Sequence, residues 1–483
     1  MVVGTGADNL IQFFIFAILA RLLSVRELGV VAFAMLFIDV SRILVMGGLP
    51  QALVQRRDWD DHVASVCFTY NALMALVVGA LFAAIGGPLM ETVYGPGSGL
   101  VGASLGLIFF MEAVKNVHAA KLRRELRYKS LAVRGSLAGI LAGAVAIGLA
   151  LGGAGVWALV FQRLSYQMVV TILTWRAARW QPRIALDRAV VRELMPFASK
   201  VTISRGLEIL NLRLPDLIVG FILGPTAVAF YRVGTRALDA LRRIIIFPFQ
   251  DASFAAFSRL GTDEAIASAF IRVSRAVATV TFPIFLGATT VALQITLLLF
   301  GPKYAQTGGI FAILCIAGVP NTLILFAGSA FMAAGQPRVG TSINLTLAAL
   351  NILMIVPAAH YWGGIGAAVG SMLATCACLP VAALLLRKRL RLPLRAFGHA
   401  LMPPAMISLA MAAAVWAIDH YALPPMRAFV ELAVLIPAGA IIYAALFALW
   451  GRSHLRELLH DLAPILPAFI ARRVRGQPVI GEP

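Results

Sequence analysis

Ionisable side chains recur inside apolar stretches of this 483-residue chain, and arginine outnumbers the acids there. The run SKVTISRGLEILNLRLPDLIVGF carries Lys200, Arg205, Glu208, Arg213 and Asp216. The next apolar run carries Arg232, Arg236, Asp239, Arg242 and Arg243, and an early one carries Asp39 and Arg42. At about 100° per residue, Arg205, Glu208 and Asp216 share a helix face, with Arg213 at its edge. Arg232, Arg236, Asp239 and Arg243 share another, and Asp39 and Arg42 are three apart, hence neighbours. Glu112 with Lys115, and Gln162 with Arg163 and Gln167, add polar groups elsewhere. An ionisable group at the centre of a membrane helix costs about 2.5–3.5 kcal/mol, so it persists where it faces protein or water. Mutual salt bridges stapling a bundle are one outlet. A hydrated chamber for an anion is the other, and surplus arginine favours it, because the guanidinium fork matches phosphate oxygens. Asn344 and Asn351, seven apart on one face, are neutral. They fit either glue between helices or a lining for sugar hydroxyls.

The elements that hold these residues follow from composition. The chain is 60% hydrophobic and 13% charged, with a net charge of +19, and its mean hydropathy is +0.88. Soluble domains carry about 25% charged residues, so a soluble enzyme is excluded. The basic residues come in short bursts between apolar runs rather than on one polar face, which argues against nucleic-acid binding. At about 20 residues per span, the pattern predicts an all-α polytopic membrane protein of about fourteen transmembrane helices. Lys and Arg crowd alternate loops, such as 121–129, 176–192 and 387–395, and the tail 451–483. The positive-inside bias therefore puts those loops and both termini in the cytoplasm. The opposite loops are short, leaving no room for a catalytic domain. Cys67, Cys315, Cys376 and Cys378 lie in apolar runs, and the histidines are scattered without metal-ligand spacing. The reading is therefore no enzyme, no metal and no cofactor.

The division expected is an N-lobe over 1–176, a cytoplasmic amphipathic linker over 177–195, a C-lobe over 196–386, two extra helices over 387–450 and a basic tail. An internal repeat underlies it. Asp39 and Arg42 match Asp239 and Arg242, VYGP from Val93 matches LFGP from Leu299, and GGAG from Gly152 matches GGIG from Gly363. Six helices separate equivalent positions. An even number makes the repeat parallel, giving two six-helix lobes suited to alternating access.

ARLLSVRELGVVAFA from Ala20, ALVQRRDW, KLRRELRYKSLA, GVWALVFQRL and LRLPDLIVGFILGPTAVAFYRVGTRALD resemble polysaccharide-transporter flippases of the Wzx type. Those belong to the multidrug/oligosaccharidyl-lipid/polysaccharide exporter superfamily. The resemblance implies a bacterial inner-membrane protein that moves undecaprenyl-pyrophosphate-linked oligosaccharide across the bilayer for O-antigen, capsule or exopolysaccharide synthesis. It would work as a monomer among membrane lipids and hand its cargo to a polymerase and chain-length machinery. The resemblance assigns pyrophosphate binding to Arg42, Arg232 and Arg236, with Arg21 a weaker match; Arg205 joins them by its place on the charged face. Asp39, Glu208, Asp216 and Asp239 would balance charge or carry a coupling ion. The competing reading is a cation-coupled multidrug or metabolite antiporter of the same superfamily, which surplus arginine opposes. A polymerase or ligase is disfavoured by the short outer loops.

Overall fold

A computed structural model describes residues 2–46, 48–56, 58–125, 127–424 and 426–450, with the side chains at 2–9, 44, 46, 128–132, 204, 205, 208 and 251 outside that description. Every described element is helical. The first unit contains α1 (Val2–Leu22), α2 (Val25–Met46), α3 (Leu49–Gln55), α4 (Asp61–Leu81), α5 (Gly87–Tyr94), α6 (Ser98–Leu105), α7 (Leu107–Arg124), α8 (Tyr128–Leu151) and α9 (Val156–Ala178). Then follow α10 (Arg188–Phe257), α11 (Asp263–Thr290), α12 (Ala292–Phe300), α13 (Ala305–Ala333), α14 (Pro337–Leu390), α15 (Leu394–Ala417) and α16 (Ala428–Trp450). Ten described helical segments are long and apolar enough to cross a membrane. Large apolar side chains such as Leu76, Ile85, Phe221 and Ile441 stand exposed, as a lipid-facing surface requires.

Two long helices are broken by glycine. Gly224 (φ 78°) interrupts α10, and Gly363 (φ 60°) interrupts α14. A Cβ on Gly366 would lie 1.9 Å from the Ala358 carbonyl oxygen, and one on Gly220 would lie 3.1 Å from the Val228 side chain. In a continuous helix residues eight apart are separated by about 12 Å, so the chain doubles back at both glycines. The expected spans 196–222 and 226–248 are thus the two arms of α10.

The backbone also matches between the repeats. Gly95 has φ 87° and ψ −179°, and Gly301 has φ 91° and ψ 173°; these are the glycines of VYGP and LFGP. Gly155 (φ 56°, ψ −130°) matches Gly363 (φ 60°, ψ −141°). The third anchor therefore pairs Gly155 with Gly363, three residues away from the sequence alignment of Gly152 with Gly363. A left-handed turn glycine is a better register mark than a GG dipeptide.

The chain divides into two compact units: Met1–Arg236 with Leu299–Gln306 and Ile355–Ala367, and Ala237–Leu298 with Thr307–Met354 and the chain from Ala368 onward. In the first, α8 packs on α1 and α9, and α7 packs on α4 and α9. A cluster including Leu53, Cys67, Val117, Trp180 and Ala198 holds α3, α4, α7 and the start of α10 together. In the second, α11 packs on α15 and α15 on α16, around Val291, Met411, Val415 and Leu435.

The 177–195 link departs from the amphipathic helix expected of it. Residues 180–187 form no helix. Pro182 lacks an N–H and turns its predecessor away from helical geometry. Trp180 is buried in the core. The Arg183 N–H donates to Ser65 Oγ and the Ala185 N–H to Thr69 Oγ1, which stitches alternate residues of the link to α4. Asp187 then caps α10 by accepting from the N–H groups of Ala189 and Val190. The His62 ring, 3.3 Å away, together with those amides holds the Asp187 carboxyl below its ordinary range.

Candidate anion site

The first unit encloses a polar cavity of about 230 Å³. Its ceiling and walls are built from four helices of that unit. Asp39 and Arg42 come from α2, Arg163, Tyr166 and Gln167 from α9, and Ile108 from α7. Arg213 comes from the first arm of α10, and Arg232 and Arg236 from the second. The reversal at Gly224 is what brings the two arms of α10 to the same chamber. Residues 16 apart in sequence then face each other, as the ion pair of Arg232 with Asp216 records.

The charges form a chain of alternating sign. Glu112 of α7 lies 2.7 Å from Nε of Arg42. Arg42 Nη1 lies 3.3 Å from one oxygen of Asp39, and Arg213 Nη2 lies 2.8 Å from the other. Arg213 Nη1 is 3.9 Å from Asp216 Oδ2, and the same oxygen accepts from Arg232 Nη1. Asp216 and Arg232 are 4% and 8% exposed, so neither reaches bulk water. Oδ1 of Asp216 has no hydrogen-bond partner among the described residues. The Arg236 guanidinium sits 5.5 Å above the Phe16 ring, a cation–π contact.

Five arginines line the cavity, while the carboxylates tied to them are Glu112, Asp39 and Asp216. Arginines thus outnumber carboxylates among the described residues at this site. Lys115 lies one helical turn beyond Glu112. Arg163 has no ion pair to a carboxylate among the described residues; Asp39 is an acid within its electrostatic range. Such a site is the inverse of a cation site. Fixed guanidinium groups in a partly dry chamber attract an anion, and several forks favour one with many oxygens.

The structure brings together Arg42, Arg232, Arg236, Asp39 and Asp216 from the candidates named on sequence grounds. Arg205 and Glu208 have side chains outside the described set. Asp239 belongs to the second unit and does not line the cavity. Asn344 is exposed, Asn351 is 5% exposed, and both belong to the second unit. Arg21 donates through Nε to the carbonyl of Leu299, 3.1 Å away, outside the cavity. Arg163, Arg213, Tyr166 and Gln167 are the additions. The face arithmetic had put Arg213 at the edge of its face. Arg163 stood out only as a charge in an apolar run.

Comparisons with known proteins agree on the type of molecule. Residues 18–308 match the model of a family described as polysaccharide biosynthesis protein. The succinoglycan biosynthesis transport protein ExoT of Rhizobium meliloti (strain 1021) is 25% identical over 484 residues, covering 98% of this chain and 95% of that protein. The lipopolysaccharide biosynthesis protein WzxC of Escherichia coli (strain K12) is 21% identical over 370 residues, covering 74% of this chain and 73% of WzxC. Among solved structures, the lipid II flippase MurJ in an inward closed conformation superposes with a TM-score of 0.78 at 12% identity, covering 94% of this chain and 99% of that one. A multidrug resistance MATE family transporter of the MOP superfamily, inward-facing, gives 0.61 at 13% identity, covering 79% of this chain and 94% of that one. These likenesses carry the fold: an all-helical polytopic transporter. With the family model spanning more than half of its length, the chain belongs to the polysaccharide biosynthesis protein family.

Proposed function

We propose that this protein flips undecaprenyl-pyrophosphate-linked oligosaccharide across the bacterial inner membrane, with the arginine-lined cavity of the first unit taking the diphosphate. The observation that carries the reading is a chamber lined by five arginines, set among helices that include segments long and apolar enough to cross a membrane. Size narrows it. Small-molecule pockets span about 300–1,000 Å³, and this cavity measures about 230 Å³. It suits a charged headgroup and is too small for an oligosaccharide, so the sugars ride outside it and the isoprenoid tail remains in lipid.

In this mechanism Arg163 meets the phosphate first, since its fork is uncommitted to a carboxylate. Arg42, Arg213 and Arg232 then exchange Asp39 and Asp216 for phosphate oxygens, and Arg236 closes the far side. The matching glycine turns of the repeats support two parallel lobes that rock to expose the chamber alternately, with both termini cytoplasmic. Asp39 and Asp216 serve as internal counterions or carry a coupling ion. A cation-coupled antiporter would need the opposite balance of charge at its binding chamber.

The test is complementation of a flippase-null strain. Arg232→Ala, Arg236→Ala and the double variant should fail to restore polymer, and lipid-linked intermediate should accumulate on the inner leaflet. Full polymer from both single variants and the double would remove the cavity from the mechanism. Drug tolerance on overexpression, with no effect on polymer, would favour the antiporter.

A further inference from the structure

The second unit carries a separate polar pocket of about 460 Å³ at the junction of α15 and α16. Its polar lining is Asp419, Glu431, Gln294 and His420, and its apolar lining includes Leu293 and Leu423. No lysine or arginine is among the lining residues. The two carboxylates are half-buried, and their charge is uncompensated within the pocket.

The helix geometry singles the place out. Where α15 ends, Ile418–Ala422 form one turn of π-helix, a widening that recurs at functional sites. It turns Asp419 inward while His420 stacks on Trp416, with rings 5.4 Å apart and 7° from parallel. Glu431 sits in the first turn of α16, where its Oε1 accepts the Met426 N–H at 3.0 Å. An N-terminal carboxylate is ordinary at a helix start, so Glu431 alone would mean little.

Gln294 supplies the independent sign. Its side chain is 8% exposed and reaches the pocket from α12. Its Nε2 lies 3.3 and 3.2 Å from the two Asp419 oxygens, which fixes the amide with nitrogen toward the acid. Oε1 is left buried without a hydrogen-bond partner. An orphaned buried carbonyl costs about 1–3 kcal/mol, so a donor is wanted there. The donor must also suit two carboxylates. Among the described residues no group of three metal-ligating side chains converges, which disfavours a divalent ion. A group with several N–H donors and one positive charge fits all three acceptors.

We propose that this pocket binds a primary ammonium group, held by Asp419, Glu431 and Gln294 Oε1. Two sources present that chemistry at a membrane: an aminophospholipid headgroup and an amino sugar. The lining residue Leu293 is 47% exposed, so the pocket opens beside apolar surface. The site is independent of the anion cavity and of the flippase reading.

The experiment uses purified full-length protein in detergent. Native mass spectrometry compares retention of phosphatidylethanolamine with phosphatidylcholine, and calorimetry compares glucosamine with glucose. Loss of one charge-assisted hydrogen bond implies roughly tenfold weaker binding or more. At least one ammonium ligand should therefore exceed its partner by that factor, and Asp419→Asn with Glu431→Gln should erase the difference without shifting the melting temperature. Preference for phosphatidylethanolamine identifies a lipid source; preference for glucosamine identifies a sugar. Equal retention of both lipids by the native protein, with glucosamine binding no better than glucose, overturns the proposal. So does an undiminished preference in the folded double variant.

Discussion

The two units hold cavities of opposite character. In the first, about 230 Å³ is lined by five arginines and Asp39. In the second, about 450 Å³ between α11, α15 and α16 is lined by apolar groups such as Pro283, Val291, Met411 and Leu435. The turns at Gly95 and Gly301 agree in backbone, while these two cavities differ in lining, arginine and aspartate in one and apolar side chains in the other. Both units therefore hold a cavity, and the side chains lining it decide what can enter. A carrier of a lipid-linked anion needs one charged compartment; two would compete for the same headgroup.

The contrast can be broken, and the largest effect is expected at Arg232. Removing one partner of a buried ion pair costs about 3–5 kcal/mol. Arg232→Ala should therefore lower folded protein in the membrane as well as polymer output, and Arg232→Ala with Asp216→Ala should recover protein but not polymer. Immunoblots beside polymer assays separate the two effects. Recovery of polymer in the double variant would show that the charge is structural.

The reverse change is next in size. Leu435, 1% exposed in the apolar cavity, becomes a buried charge in Leu435→Arg, at about 2.5–3.5 kcal/mol. Membrane-inserted protein should fall. A fully active variant would mean that the second cavity already holds water.

Arg163 sharpens the comparison. With no carboxylate partner among the described residues, Arg163→Ala should leave folded protein unchanged. Polymer output should fall about tenfold or more through loss of a charge-assisted contact to the cargo. Arg163→Lys should restore part of it, since a point charge lacks the fork. The smallest effect lies outside the membrane, at Asp187. Its lowered carboxyl range means that its cap stabilises above the ordinary carboxylate range and is lost as pH falls through its own, lower value. The melting-temperature gap between native protein and Asp187→Asn should close in acid, and His62→Ala should narrow it.

Much of this was legible in the residues. Charges in apolar runs marked α2, α9 and both arms of α10, because the bilayer penalty makes each one informative. Depth was harder. Asp239 shares a helical face with Arg232, but seven residues are about 10 Å along the axis, and the chamber ends before it. Asn344 and Asn351 also share a face, yet one is exposed and the other buried, because neighbours cover that face unevenly. The link at 180–187 misled for another reason. Its amphipathic periodicity was real, but hydrogen bonds to Ser65 and Thr69 and the burial of Trp180 outweigh it.

The alternating chain from Glu112 to Arg232 bears on turnover. A carrier that grips its load too firmly cannot let go. Here Arg42, Arg213 and Arg232 are already engaged by acids, so under the proposed reading a diphosphate arriving at them would swap partners with groups of the same sign. The net gain per contact would then be small, and Asp39 and Asp216 would take the arginines back once the cargo leaves. On that reading, release is prepared by the resting network itself.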